Sequence, residues 1–550
     1  MTILKISNKK IKVLSFFYPF FIALFLAVFD NSALWRELFE IKGGVSIVTI
    51  KYYLPFFFFF LLVYTAFFVL VRFKYIFKIT AVLILLTASI AAYFMDAYGV
   101  MLDTNMIHNA LETDFAETFE LITPKFIFYF FLLGVLPSIF ILVIPIAYKP
   151  FVKQLQGNLF NILLLFILMA ATLAFYYGDY APLYRSNRHI RHLINPVNYV
   201  KSTINNVNRV IRSGSTKMKA IGLDAAIEPY YKNRQKKTLT ILVVGETARA
   251  KNFSLNGYSR LTNPILSQED IIYFNNFYSC GTATATSVPC MFSFLTRENY
   301  NDTQAKQTEG LLDVLKHAGV NVLWRNNNSG CKGVCDRISY ENMAFLKDPD
   351  LCNESECYDE ILLKGLQGYV DAIEKDTLIV LHQKGSHGPS YYLRAPKQFQ
   401  QFTPICQSSQ VNECSLESVV NAYDNTILYT DYFLGRVIEF LKKNSKKFNT
   451  GMIYISDHGE SLGENNMYLH GLPYFLAPDE QIHVPFVLWL SESLLDNLEI
   501  DQNCLINERT DRFSHDNLFH SILGLMKINT EVYNAEMNLF RPCQSRNLDH

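Results

Sequence analysis

No cysteine occurs in the first 279 residues of this 550-residue chain; all ten fall in the remainder. That absence excludes disulfides and thiolate metal sites from the N-terminal half. Net charge is also missing, with 50 basic residues balanced by 50 acidic ones, so bulk electrostatics select no nucleic acid. Charged residues are scarce at 18%, whereas half the chain is hydrophobic, too apolar for a wholly soluble protein. Five long runs contain no charge at all: Val13–Phe29, Pro55–Val71, Ile79–Met95, Phe126–Ala147 and Leu159–Tyr177. Each approaches the roughly 20 residues that cross a bilayer core. A transporter places ionisable groups within its spans, so these spans read as an anchor.

The stretch from Asp96 to Pro124 lacks Lys and Arg entirely. By contrast Lys5, Lys9, Lys10 and Lys12 precede the first run, Arg72, Lys74 and Lys78 separate the second and third, and Lys149 and Lys153 precede the fifth. The positive-inside rule therefore expects a cytoplasmic N-terminus, and five spans then carry the cysteine-bearing half outside. Cysteine spacing leads to the same compartment. Pairing sequence neighbours gives Cys280–Cys290, Cys331–Cys335, Cys352–Cys357 and Cys406–Cys414, leaving Cys504 with Cys543, as disulfides in an oxidising space. The competing reading, a four-thiolate zinc site at Cys331, Cys335, Cys352 and Cys357, has irregular spacing and no supporting histidine.

Within the outer loop, Asn109–Glu117 reads as a short helix with Thr113 and Glu117 on one face. From Gly178 to Lys237, Arg185, Arg188, Arg191, Lys201, Arg209, Arg212, Lys217 and Lys219 alternate with apolar residues, as in a segment lying on anionic headgroups or in an ordinary linker. The expected organisation is thus a membrane domain over 1–177 with a loop helix near 104–120, a basic linker over 178–237 and an outer domain over 238–550.

Beyond Thr238, apolar runs at Leu239–Val244, Asn321–Trp324, Thr377–Leu381, Met452–Ile455 and Val484–Leu490 alternate with helical stretches at Leu311–His317 and Leu416–Lys443. This is the pattern of an α/β domain around a mostly parallel sheet, with its chemistry beyond the carboxyl ends of the strands. The first run ends at Gly245-Glu246 and the fourth at Ser456-Asp457-His458, so both ligand sets should emerge at one edge. Glu246, Asp457 and His458 with a threonine oxygen form an O/N set that suits zinc.

Cys280-Gly-Thr-Ala-Thr-Ala-Thr-Ser-Val-Pro-Cys290 crowds hydroxyls ahead of the apolar segment Met291–Leu295. A helix starting near Thr284 would set that hydroxyl among unpaired N–H groups, where an anion is stabilised; the plainer reading is an N-cap in a small disulfide loop. Composition does not choose among these hydroxyls. His387, in Gly385-Ser-His-Gly-Pro389, and His470, in Met467-Tyr-Leu-His-Gly471, follow strand ends and could bind phosphate, protonate a leaving oxygen or hold a second metal.

Val244-Gly-Glu-Thr-Ala-Arg-Ala250, Ser279–Ser293, Ser386-His-Gly-Pro389 and Ser456-Asp-His-Gly-Glu-Ser-Leu-Gly-Glu464 together closely resemble the bacterial lipid A phosphoethanolamine transferases, the group that includes the mobile colistin-resistance enzymes. The resemblance implies an alkaline phosphatase/sulfatase-like outer domain in the periplasm, an inner-membrane anchor, one zinc ion with a second possible, and a monomer. It implies Thr284 as nucleophile and Glu246, Thr284, Asp457 and His458 as zinc ligands. Asn109, Thr113, Glu117, Ser329, Lys332, His387 and His470 are implied as headgroup residues, with Lys332, His387 and His470 also assisting catalysis. The implied donor is phosphatidylethanolamine and the implied acceptor a lipid A phosphate, with resistance to polymyxins as the consequence. Rival expectations are an inner-core Kdo or heptose acceptor, a tethered phosphatase or sulfatase using water, and a silent envelope protein.

Overall fold

The computed structural model describes residues 17–44, 46–113, 115–213, 218–232, 234–353 and 356–544. Lys5, Lys9, Lys10, Lys12 and Lys217 lie outside the described residues, as do the side chains of Glu117, Arg188, Arg209 and Arg212. The chain forms two compact units, one of residues 1–104 and 122–204, the other of residues 105–121 and 205–550.

Among the described residues of the first unit, four helices are long and apolar enough to cross a membrane: Thr49–Leu70, Phe77–Tyr98, Pro124–Val143 and Phe151–Tyr177. A fifth crossing exists only if Tyr18–Phe29 and Ser32–Ile41, bent by 56° at their junction, count as one span. Small residues bring helices together. A Cβ on Gly134 would lie 2.5 Å from Ser89 Oγ, so the Pro124–Val143 helix can approach Phe77–Tyr98 only with glycine there. Some buried polar groups pair across elements: Asn195 donates through Nδ2 to the carbonyls of Asp30 and Ala88, and its own backbone carbonyl accepts from Tyr64 at 2.7 Å. In an apolar surrounding such bonds replace water and fix the register of the helices.

The second unit is built on a seven-stranded sheet. Its strands in chain order are β1 (Lys237–Gly245), β2 (Ile272–Phe274), β3 (Asn321–Asn326), β4 (Ser339–Asn342), β5 (Thr377–His382), β6 (Phe448–Ser456) and β7 (Phe486–Leu490). The spatial order is β2-β7-β6-β1-β5-β3-β4. Pairs from β6 through β4 are parallel, but β7 runs antiparallel to both β6 and β2, so the sheet is mixed. Leu242, Val244, Val380, Ile453 and Ile455 are fully buried, as a sheet covered on both faces requires. One covering helix is Leu416–Asn444, capped by Ser415. Another is Leu311–His317, whose Asp313 carboxylate accepts from the N–H of Gly310 at 2.9 Å.

All ten cysteines are paired, as Cys280–Cys290, Cys331–Cys335, Cys352–Cys357, Cys406–Cys414 and Cys504–Cys543. The zinc reading of four of them is thereby set aside. The loop helix departs from expectation. Two helices, Thr104–Glu112 and Phe115–Leu121, replace a continuous one, and Thr113 sits at the break, its hydroxyl bonded back to the carbonyl of Asn109 at 2.9 Å. Thr113 and Glu117 therefore do not share a single helix.

Candidate active site

The ends of two neighbouring strands set the site. Gly245 of β1 pairs with Ser456 of β6, so Glu246 and Asp457 leave the sheet together at its carboxyl edge. Gly385 allows the next loop to close over them, since a Cβ there would lie 2.7 Å from the carbonyl of Glu246. Thr247 takes a left-handed φ of 59°, strained for a β-branched residue. Its hydroxyl donates to Glu246 Oε1 at 2.5 Å, and its N–H donates to Asp457 Oδ1 at 3.1 Å.

Glu246, Asp457 and His458 are completely buried, and one ligand atom from each lies within 4.8 Å of the others. His458 Nδ1 faces the carbonyl of Gly459 at 2.9 Å. That contact directs Nε2 into the cluster, 3.3 Å from Glu246 Oε1 and 3.4 Å from Asp457 Oδ2. Asp457 Oδ2 is buried without a hydrogen-bond partner among the described residues. An orphaned carboxylate oxygen beside a second carboxylate and an imidazole suits a divalent cation.

Thr284 opens the helix Thr284–Met291, at the first helical position; Ala283 is the N-cap and no side chain caps the turn. The helix stops at Met291 and does not continue through Leu295. Oγ1 of Thr284 donates to Glu246 Oε2 at 3.0 Å and lies 3.4 Å from His458 Nε2. Ser287, one turn on, donates to the carbonyl of Asp457 and accepts from the N–H of Gly281, locking the helix to β6. The hydroxyl is thus aimed at the three ligand groups.

Electrostatics follow from this crowding. Burial opposes ionisation of Glu246, but the His458 hydrogen bond and charge, aided by His387 and Thr247, hold its carboxyl well below the usual range. Burial and the charge of Glu246 push Asp457 up to about 7. Burial disfavours the imidazolium of His458, yet Asp457 and Glu246 raise it to about 10. The metal-free cluster therefore holds a proton where a cation would sit.

His470 and His387 stand next to it. The ring of His470 is centred 4.3 Å from that of His458 and 6.0 Å from that of His387. His470 Nδ1 pairs with Glu460 Oε2 at 2.8 Å, and Glu460 Oε1 accepts from Tyr391 at 2.6 Å. Lys332, at φ 52°, donates to the carbonyls of Ser329 and Glu112, each at 3.2 Å. Asn109 lies in Thr104–Glu112 and Thr113 follows it; Glu117 lies in Phe115–Leu121, its side chain outside the described residues. Sequence reasoning missed Asn328, whose amide donates to Glu246 Oε2 at 2.7 Å and to the carbonyl of Gln383 at 2.8 Å. It also missed Glu460 and Tyr391. Only the position of Glu460, two residues past His458, hinted at a role.

A buried carboxylate–imidazole cluster at the carboxyl edge of such a sheet, facing a hydroxyl at a helix start, defines a class. The profile of the Sulfatase family matches residues 238–528, and that of "Phosphoethanolamine transferase EptA/EptB" matches residues 59–211. Phosphoethanolamine transferase EptA of Escherichia coli K12 is 45% identical over 468 residues, 84% of this chain and 85% of that protein. Phosphatidylethanolamine transferase Mcr-1 of Escherichia coli is 39% identical over 76% of this chain and 79% of its own length. The solved integral membrane lipooligosaccharide phosphoethanolamine transferase A of Neisseria meningitidis superposes with a TM-score of 0.93 at 33% identity, covering 97% of this chain and 99% of that one. The chain belongs to the phosphoethanolamine transferase family of the alkaline-phosphatase-like superfamily. It is an enzyme, a transferase, and an integral membrane protein.

Proposed function

We propose that this enzyme moves phosphoethanolamine from phosphatidylethanolamine to a phosphate of lipid A through a phosphoethanolamine–Thr284 intermediate. The observation that carries the reading is the approach of Thr284 Oγ1 to Glu246 at 3.0 Å and His458 at 3.4 Å. Relatives named for phosphoethanolamine transfer support the group transferred.

Glu246, Asp457 and His458, with Thr284, would hold a zinc ion, and the orphaned Asp457 oxygen fits that role. When bound, zinc lowers the pKa of a hydroxyl and offsets charge on phosphoryl oxygens. In the first half-reaction Thr284 Oγ1 passes its proton to Glu246 Oε2, to which it donates at 3.0 Å, and forms a bond to phosphorus as the bond to the diacylglycerol oxygen breaks; that oxygen takes up a proton. His470, paired through Nδ1 with Glu460, supplies that proton in this reading, with His387 beside it. In the second, an ionised oxygen of a lipid A phosphate attacks the same phosphorus and Thr284 leaves, its oxygen regaining the proton from Glu246. Lys332 contributes positive charge where the phosphoryl oxygens gather charge. Asn109, Thr113, Glu117 and Ser329 contribute to headgroup binding.

All four groups at the centre come from one chain, which supports a monomeric working unit. Both substrates are membrane lipids, which supports a membrane anchor; the placement of Lys and Arg supports a cytoplasmic N-terminus, and the five disulfides support a periplasmic catalytic unit. Added ethanolamine carries positive charge to an anionic surface, so polymyxins should bind it less well. Mass spectrometry of lipid A from cells expressing the wild type and Thr284→Ala tests the proposal. Added phosphoethanolamine in the first and none in the second is expected; modified core sugars over unmodified lipid A would overturn the acceptor.

A further inference from the structure

Arg394 joins two parts of the catalytic unit that sequence separates widely. Its guanidinium is 1% exposed and holds three partners in one plane. Nη2 donates to both carboxylate oxygens of Glu120 at 2.7 Å each, Nη1 pairs with Glu356, and Nε donates to the carbonyl of His387 at 2.8 Å. Glu120 lies on the helix Phe115–Leu121, within the segment 105–121. That segment is fixed at a second place, where Lys306 pairs with Glu112 at 3.0 Å.

The loop of His387 is held on its N-terminal side by several bonds, and the N–H of His387 itself donates to the carbonyl of Lys384 at 3.3 Å. Asp359 accepts from the N–H groups of Lys384 and Gly385 at 2.7 and 2.9 Å, and Ser386 donates to the carbonyl of Glu246 at 3.0 Å. At His387 the carbonyl is held by Arg394. A guanidinium is rigid and planar, so a shift of the nitrogens that grip Glu120 also shifts the nitrogen that grips His387. We propose that Arg394 is a positioning residue that couples docking of segment 105–121, through Glu120, to the placement of His387 beside the Thr284 site. The proposal rests on the transfer reaction above and on a part for His387 in it.

Transfer from fluorescent phosphatidylethanolamine to lipid A, measured with the full-length protein in lipid vesicles, tests this with Glu120→Gln, His387→Ala and the double variant. Glu120→Gln keeps the shape of the side chain and one acceptor oxygen, so the folded state and the metal content should be retained, with a lowered melting temperature from the weakened pair with Arg394. Its kcat should fall about tenfold, and in the His387→Ala background the same change should have no further effect. Arg394→Lys, which keeps charge but loses the planar fork, should behave as Glu120→Gln does. An equal fold-loss from Glu120→Gln in both backgrounds would overturn the coupling, as would wild-type kcat in that variant. Failure of the transfer reading itself shows separately, as undiminished transfer by Thr284→Ala.

Discussion

Glu246 and Asp457 stand side by side because the residues before them, Gly245 and Ser456, are partners on the last rung of the β1–β6 ladder. Parallel strands in register deliver their next residues to the same edge, and here both are acidic. Two buried carboxylates at such separation demand a counter-charge. His458 supplies it in the metal-free protein, and a cation supplies it when bound.

Asn328 holds the outer oxygen of Glu246, and its loss should be felt at the metal. Asn328→Leu is expected to weaken zinc affinity or activity by about 10- to 100-fold. Titrating transfer against free zinc measures this, and an unchanged half-saturation point would refute the assignment.

Zinc uptake should release protons. His458, whose imidazolium is stabilised by Asp457 and Glu246, must give up its proton before Nε2 can bind, and burial with the charge of Glu246 raises Asp457 towards its protonated form as well. Affinity should therefore fall as pH falls, and lightly buffered apo-protein should acidify its medium on metal addition. Replacing Asp457 and His458 together should remove the bound metal. Elemental analysis giving wild-type content would contradict the ligand set.

Asp431 offers a pH signature remote from the site. It accepts from the N–H groups of Ile265 and Leu266 at 2.8 and 3.0 Å, but burial outweighs these bonds and lifts its pKa to about 7. Because the folded value lies above the unfolded one near 4, the folded chain binds the proton more tightly. Its stabilising contribution is full below about pH 4 and is lost as pH rises to about 7, at up to about 1.4 kcal/mol per pH unit. The melting temperature of wild type should fall relative to that of Asp431→Asn as pH rises over that window and then level off. A difference independent of pH would disprove it.

Thiol titration of the denatured, unreduced protein should find none of the ten cysteines free. Cys504–Cys543 spans 39 residues and Cys331–Cys335 only 4. Loop-closure entropy then expects a loss of about 4 kcal/mol on removing the first and about 2 kcal/mol on removing the second. Denaturant unfolding of Cys504→Ala/Cys543→Ala and Cys331→Ala/Cys335→Ala compares them, and the reverse order would reject the entropic account.

Much of this architecture is legible in the sequence because burial leaves a direct trace. Leu239–Val244 and Met452–Ile455 are continuous apolar runs, and the polar residues that follow them mark the carboxyl edge. Strand direction leaves no such trace. The run ending at Leu490 has the same composition whichever way it lies, so its antiparallel placement waited for the structure. The helix Ser32–Ile41 carries Arg36, Glu37 and Glu40, which hid it from a search for uncharged runs. The break at Thr113 leaves no trace in the spacing of apolar residues, and its hydroxyl bond to Asn109 is one that Thr65 makes inside an unbroken helix. Thr284 stood out among neighbouring hydroxyls only through resemblance, and Asn328 is one of three consecutive asparagines with no pattern to distinguish it.

The Cys280–Cys290 bridge ties the chain just before Thr284 to the far end of its helix, while Ser287 bonds the middle of that helix to Asp457. Reduction would remove one of these two ties and leave the Ser287 bonds in place, so turnover should fall on reduction without being abolished.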